Sequence, residues 1–220
     1  ENQKLAKEDG CNGDLNYTVE QREVDGTTLL NAQELWKKEK DSGKPILAVF
    51  VADVSGSMDG EPLNSLKTSL INGMQYINTT NYVGLVSYSD EVVINVPVGQ
   101  FNLNQQSAFK GAVESLSASG GTATFDGIIV ATDMLLAAKE QYPDAKLMMF
   151  VLSDGETNRG YSLKDIQESI DALNIPIYTI GYNADIPALE SISAINEAAS
   201  INADSDDVVY KLKNLFNSSL

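Results

Sequence analysis

Uninterrupted apolar runs that alternate with helix-patterned segments most constrain what this chain can fold into. Ile46–Ala52 contains apolar residues only, and Lys146–Leu152 is apolar after its first residue. Such runs are typical of strands that are buried on both faces of a parallel sheet. Between them, Pro62–Ile77 carries leucine, methionine and isoleucine at helical spacing, with proline in the first turn. The alternation predicts βαβ units with right-handed crossovers.

A tight turn at Ser89–Asp90 joins two of the predicted strands directly. Pro97 indicates that the second of these strands lies near a sheet edge or ends there, because proline has no N–H to donate. We therefore predict a doubly wound α/β fold with a mostly parallel central sheet, one antiparallel edge strand and helices on both faces. The other predicted elements are strands Tyr82–Tyr88, Glu91–Val98 and Ile175–Ile180, and helices Gln105–Leu116, Thr124–Gln141, Ser162–Leu173, Pro187–Ala199 and Asp206–Phe216.

The first part of the chain differs from the rest in composition. Residues 1–43 are polar and charged, with one short amphipathic pattern in which Trp36 is interpreted as a packing residue. We predict that residues 1–43 are an N-terminal extension or linker from an upstream region and that residues 44–220 form the domain. The chain is expected to be a monomeric domain of a larger protein.

Two scarcities and the charge exclude several function classes. The sequence has no histidine and one cysteine, Cys11, which removes the usual base of serine hydrolases, an internal disulfide and a thiolate metal cluster. Any metal site must therefore be built from oxygen ligands. The formal net charge of −16 disfavours nucleic acid and anionic membrane surfaces as partners. No apolar run approaches the roughly 18 residues of a membrane span, so no membrane insertion is expected.

Three polar clusters lie in loops that can meet at the carboxyl edge of the predicted sheet, where such folds bind ligands. They are Asp53–Ser57 after the first strand, Ser119–Thr124 before a helix, and Ser153–Glu156 after a later strand. Carboxylates and hydroxyls at alternate positions of a turn can face one small cation, and Mg²⁺ prefers six oxygen ligands at about 2.0–2.1 Å. The candidate metal ligands are Asp53, Ser55, Ser57, Thr122 and Asp154.

Each cluster taken alone has a simpler explanation, because serine and aspartate are favoured at strand ends and helix caps. Thr124 is interpreted as either a hydroxyl in the outer layer of the site or a helix N-cap, and Glu156 as a solvated loop carboxylate. Tyr161, Tyr182 and Asn183 are candidates for the rim of the ligand face. The presence of all five candidate ligands in register favours the metal site over the simpler explanation.

The spacing Asp53-x-Ser-x-Ser57, Thr122 after two glycines, and Asp154 within Ser-Asp-Gly resembles the metal-ion-dependent adhesion site of von Willebrand factor type A domains. The resemblance covers residues 44–220. It implies that the three hydroxyls bind the ion directly and that the two aspartates often act through water. It also implies a Mg²⁺ ion (or Mn²⁺ or Ca²⁺) with one open position, which receives a carboxylate from an exposed Asp or Glu of a partner protein.

The resemblance implies a divalent-metal-dependent binding module for adhesion or assembly rather than an enzyme. A phosphatase of the haloacid dehalogenase type would carry a second aspartate where this chain has Ser55, and no phosphate-binding Gly-x-x-x-x-Gly-Lys-Ser/Thr run occurs. The alternative is an intracellular subunit that assists an ATP-driven chelatase or chaperone-like motor. Residues 36–44 resemble a linker of bacterial surface proteins. The polar N-terminal extension and the lone cysteine fit an exported bacterial protein, so we expect an extracellular or cell-surface location, with a cytoplasmic one as the alternative.

Overall fold

The strand order of the central sheet brings the first and fourth strands together at its middle. A computed structural model of the chain describes residues 44–155, 157–182, 190–192, 200–202 and 205–217. Six strands form one sheet in the order β3-β2-β1-β4-β5-β6, and only the β2–β3 pair is antiparallel. Their bounds are β1 Ile46–Asp53, β2 Tyr82–Tyr88, β3 Val92–Gln100, β4 Lys146–Ser153, β5 Ile177–Gly181 and β6 Ser200–Asn202.

The chain runs outward from β1 through β2 to β3, and then returns to the centre and runs the other way from β4 to β6. This reversal separates the loops that leave β1 and β4, and doubly wound folds bind their ligands in the resulting crevice. Four helices lie between strands, α1 Glu61–Met74, α2 Leu103–Glu114, α3 Thr124–Gln141 and α4 Leu163–Asp171, and α5 Ser205–Asn217 follows β6. The doubly wound α/β fold with one antiparallel edge strand is confirmed.

Buried side chains form two apolar layers, one on each face of the sheet. On one face, Phe50 and Phe150 stack at 4.9 Å between ring centroids, and Phe216 of α5 packs on both rings. On the other face, Val51 and neighbouring strand residues pack against α3 through side chains such as Ile128. Residues on one strand alternate between the two layers because successive side chains of a strand point to opposite faces.

The structure differs from the sequence-based elements mainly at their ends. Strand β3 continues past Pro97 to Gln100, which an edge strand permits because the proline nitrogen need not donate to a neighbouring strand. Helix α2 begins two residues earlier than predicted, because the Asn102 side chain accepts a hydrogen bond from the Gln105 N–H and caps it. The short strand β6 was not predicted, since three residues are too few to show a periodic pattern.

Two predictions fall largely on residues that the structure does not describe. Of the helix predicted over Pro187–Ala199, only residues 190–192 are described, and they are helical. The proposed extension, residues 1–43, lies outside the described residues, so the domain boundary stays a prediction. Within the described residues, none of the helices combines the length and the apolarity that crossing a bilayer requires.

Candidate metal centre

Asp53 ends β1 and is fully buried at the centre of the crevice. Its Oδ1 accepts a hydrogen bond from the Ser55 N–H at 2.9 Å, which holds the turn that follows β1. Its Oδ2 accepts one from the Ser153 hydroxyl at 2.7 Å, which ties the ends of β1 and β4 together. Asp53 therefore has a defined orientation that two neighbouring strands impose.

The structure brings Ser55, Ser57 and Asp154 together with Asp53. The Ser55 and Ser57 hydroxyl oxygens lie 3.2 Å apart, and the Ser57 hydroxyl donates to Oδ2 of Asp154. A one-turn 3-10 helix over Gly56–Met58 presents the Ser57 hydroxyl at the surface, while Ser55 is buried. The two serines thus bridge from the β1 carboxylate to the carboxylate that follows β4.

Thr122 lies in a separate loop that backbone hydrogen bonds fasten to the serine turn. The Gly56 N–H donates to the Gly120 carbonyl at 2.9 Å, and the Ser119 N–H donates to the Val54 carbonyl at 2.9 Å. Thr122 is buried, and its N–H donates to Oδ1 of Asn158 at 2.9 Å. The threonine that the sequence singled out is therefore positioned by both the serine turn and the loop after β4.

An ion pair lies against the two glycines that precede Thr122. Arg159 Nε lies 2.7 Å from Oδ1 of Asp90, and both side chains are about half exposed. A Cβ on Gly120 would collide with the Asp90 carboxylate, and a Cβ on Gly121 with Arg159. Gly120 also has a positive φ of 81°, which favours glycine. The positive φ favours glycine at position 120, whereas the two half-exposed side chains of the ion pair would have to move to admit a Cβ at either glycine.

Replacing Gly120 with alanine is expected to destabilise the domain by about 1–3 kcal/mol, because a Cβ combines backbone strain with a collision at Asp90. Urea unfolding in the presence of EDTA measures this cost without any contribution from a metal. The matched control is Gly111→Ala on α2, where a Cβ meets nothing and the gain in helix propensity should stabilise by roughly 0.5–1 kcal/mol. Equal stability of the Gly120 variant and the wild type would contradict the packing described for this loop.

Burial raises the pKa of the Asp53 carboxyl, and the nearby Asp154 charge adds to the rise, while hydrogen bonds from Ser55 and Ser153 oppose it. A buried carboxylate whose charged form is disfavoured gains from a cation beside it. Burial also raises the pKa of Tyr88, whose phenol lies near the Asp53 charge. A cation beside Asp53 would therefore stabilise the charged form of its carboxyl.

The donor set fits a hard divalent cation. Neighbouring ligands of an octahedral ion with bonds of about 2.1 Å lie about 3 Å apart, which matches the spacing of the Ser55 and Ser57 oxygens. Among the described residues, no three His, Cys, Asp or Glu side chains are grouped as metal ligands, so a site here depends on hydroxyls. Two carboxylates with serine and threonine hydroxyls suit Mg²⁺ or Mn²⁺ better than zinc, which prefers nitrogen and sulfur.

Several positioning side chains were missed by sequence reasoning. Ser153 was read only as part of the Ser-Asp-Gly motif, although its hydroxyl holds Asp53 and accepts from the Gly155 N–H. The contact between Asn158 and Thr122 joins residues 36 positions apart, and no local pattern signals it. Of the predicted rim residues, Tyr161 is exposed, whereas Tyr182 is 2% exposed and belongs to the core. Asn183 and Glu156 lie outside the described residues.

Thr124 is the first residue of α3 and not its N-cap, which is Ala123. No side-chain hydrogen bond caps this helix, so the capping role considered for Thr124 is wrong. Its hydroxyl is buried and has no hydrogen-bond partner among the described residues. The other role, a hydroxyl in the outer layer of the site, stays a prediction.

Comparison with known proteins agrees with this architecture. The chain is 30% identical over 190 residues to inter-alpha-trypsin inhibitor heavy chain H4 of Sus scrofa, which covers 81% of this chain and 20% of that protein. It thus spans about a fifth of the length of the curated relatives that it matches.

Solved structures show the same fold at low sequence identity. One, described as von Willebrand factor type A from Catenulispora acidiphila, superposes with a TM-score of 0.67 at 19% identity and covers 80% of this chain and 43% of that chain. A conserved hypothetical protein BatB from Bacteroides thetaiotaomicron has a TM-score of 0.65 at 14% identity and covers 79% and 98%. The von Willebrand factor type A domain pattern matches residues 48–217, and this protein therefore belongs to that family.

Proposed function

We propose that this domain binds a partner protein through a divalent metal ion, Mg²⁺ (or Mn²⁺ or Ca²⁺), that Asp53, Ser55, Ser57, Thr122 and Asp154 hold. Domains of this family typically serve protein interaction or adhesion. The ion would leave one position for a carboxylate from an exposed Asp or Glu of the partner. The metal would then join two surfaces that both carry negative charge.

One observation carries the proposal. The Asp53 carboxylate at the end of β1 and the Asp154 carboxylate after β4 converge with two serine hydroxyls of the turn after β1. Neutral hydroxyls supply much of the donor set, so the ion keeps enough positive charge to attract an external carboxylate. The chain's net charge of −16 would otherwise repel an acidic partner. A bound cation would reverse this repulsion locally.

The test uses Mn²⁺-loaded protein and measures the longitudinal relaxation of water protons. N-acetylaspartate amide should displace water from the bound ion and lower the relaxation rate, whereas the asparagine counterpart should not, because its amide is a weaker ligand for a hard cation. An equal effect of both compounds, or of neither, would contradict a carboxylate-accepting metal.

Ser57→Ala is expected to weaken Mn²⁺ binding by about tenfold or more, because it removes one proposed ligand. The matched control is Ser115→Ala, whose hydroxyl donates to the Gly111 carbonyl on α2 and is not a candidate ligand. Titration followed by electron paramagnetic resonance of free Mn²⁺ gives both dissociation constants. Equal constants for the two variants would remove Ser57 from the ligand set.

We also propose that the domain is not itself an enzyme and acts at the cell surface or outside the cell. The proposal of location rests on the resemblance of residues 36–44 to a surface-protein linker. The intracellular alternative, a subunit of an ATP-driven motor, predicts stable association with a motor ATPase. Fractionation of cells that produce the full-length protein, followed by immunoblotting, distinguishes a surface location from a cytoplasmic one.

A further inference from the structure

Two buried hydroxyls lie next to the candidate ligands without a hydrogen-bond partner. Among the described residues, the buried side-chain oxygens that lack a partner belong to Tyr88, Asn95, Thr124 and Tyr182. Most buried polar groups in proteins are hydrogen-bonded, so an unpartnered one calls for an explanation. Tyr88 and Thr124 both lie beside Asp53, whose carboxylate would explain why two buried hydroxyls are placed there.

The strand register places Tyr88 beside Asp53. The two residues are partners at the carboxyl ends of the adjacent parallel strands β1 and β2. Tyr88 and Val86 lie in the same apolar layer as Val51, so the alternation along each strand directs Asp53 and Tyr88 to one face of the sheet. The phenol is fully buried and lies close enough to Asp53 and Asp154 to sense their charges.

Thr124 reaches the same place from the start of α3. The Ala123 N–H donates to the Ser89 carbonyl at 2.9 Å, which fastens the beginning of this helix to the residue after Tyr88. A Cβ on Gly127 would lie 2.9 Å from the Tyr88 ring, so the first turn of α3 rests on that ring. The Thr124 and Ser153 hydroxyls lie near the phenol, although neither Tyr88 nor Thr124 makes a hydrogen bond of ordinary geometry.

We propose that the Tyr88 and Thr124 hydroxyls are positioning groups for the metal, which orient the Asp53 carboxylate directly or through one ordered water. This inference rests on the proposed metal binding and deepens it. Asp53 has capacity for it, because a carboxylate can accept about four hydrogen bonds and Ser55 and Ser153 use two of these positions. Of the two that remain, one serves the ion and the other serves one of the two hydroxyls or a water molecule that both hydroxyls share. Hydrogen bonds to the partners of a metal ligand typically change metal affinity by about 10–100-fold.

A purely structural role for these hydroxyls makes the opposite prediction. If they served only the fold, their removal would lower the stability of the metal-free protein and leave metal affinity unchanged. Because neither hydroxyl has a hydrogen-bond partner among the described residues, we expect Tyr88→Phe to leave metal-free unfolding unchanged or to raise the unfolding temperature. The two roles therefore separate when stability and affinity are measured independently.

The experiment titrates Mg²⁺ and Mn²⁺ into metal-stripped protein by calorimetry and measures thermal unfolding in EDTA. Tyr88→Phe and Thr124→Val should each raise the metal dissociation constant by about tenfold or more, and Thr124→Ser, which keeps the hydroxyl, should restore it. The matched control is Tyr182→Phe. Among the described residues that hydroxyl also has no hydrogen-bond partner, but Tyr182 belongs to the apolar layer on the other face of the sheet. Its loss should therefore leave the dissociation constant at the wild-type value.

The inference is overturned if Tyr88→Phe and Thr124→Val bind metal as the wild type does, or if affinity falls only together with metal-free stability. Should Tyr88→Phe fail to fold, the Thr124→Val and Thr124→Ser pair decides by the same criterion. Absence of metal binding by the wild type would refute the proposed function itself, and this inference with it. Wild-type binding with unaffected variants refutes only the inference.

Discussion

Replacing Asp53 with asparagine is expected to abolish the stabilisation of this domain by metal while the metal-free protein stays folded. The amide keeps the size of the side chain and an oxygen that can accept from the Ser55 N–H, but it loses the charge that attracts the ion. A ligand at about 100 times its dissociation constant stabilises a protein by about 2.7 kcal/mol. For a domain of this size, that corresponds to roughly 5–10 °C in the unfolding temperature.

Differential scanning fluorimetry of metal-stripped protein, with and without Mg²⁺, measures this difference. The matched control is Asp133→Asn, an exposed aspartate on α3 whose replacement changes the net charge by the same amount. The control should retain the full metal-dependent shift. A shift in Asp53→Asn equal to that of the wild type would mean that the ion, if bound, is held elsewhere.

Replacing Phe50 with alanine is expected to cost about 3–5 kcal/mol of unfolding free energy, which is the range for removing a large aromatic side chain from a core. Phe50 is fully buried at the centre of the sheet. Its ring lies 4.9 Å from that of Phe150 and 5.7 Å from that of Phe109, so it joins the two central strands to α2. Removing it leaves a cavity that none of these elements can fill without moving.

Urea unfolding in EDTA checks this effect apart from metal binding. The control is Leu103→Ala at the start of α2, where the side chain is 78% exposed and the change should stay within about 0.5 kcal/mol. If Phe50→Ala cost no more than the control, the stacked aromatic layer would not be the core that the structure describes.

The central elements of the fold could be predicted because their patterns are local. A strand buried on both faces shows as a continuous apolar run, as in Ile46–Ala52, and a long amphipathic helix shows as helical spacing, as in Thr124–Gln141. The start of α2 was missed because the Asn102 cap lies outside the apolar pattern. Strand β6 depends on pairing with β5, which is a tertiary contact that three residues cannot encode by themselves.

The candidate ligands could be predicted for a similar reason, since three of them follow one strand at alternate positions and the others lie in short polar motifs. The hydrogen bonds that position these ligands could not be predicted. The bond from Ser153 to Asp53 spans 100 positions, and the bond from Asn158 to Thr122 spans 36. The prediction of Tyr182 as a rim residue is wrong, because its side chain is buried in one apolar layer of the sheet. That burial depends on tertiary packing, which the residue's position in the sequence does not show.

The most direct test of the central claim is a calorimetric titration of Mg²⁺ into the metal-stripped wild-type protein. We expect saturable binding of one ion per chain, because the proposed function assigns the five candidate ligands to a single ion at the carboxyl ends of β1 and β4. The same titration is repeated with Mn²⁺ and Ca²⁺. If none of the three ions shows saturable binding, the proposed metal site is contradicted, and the convergence of these side chains has a structural role alone.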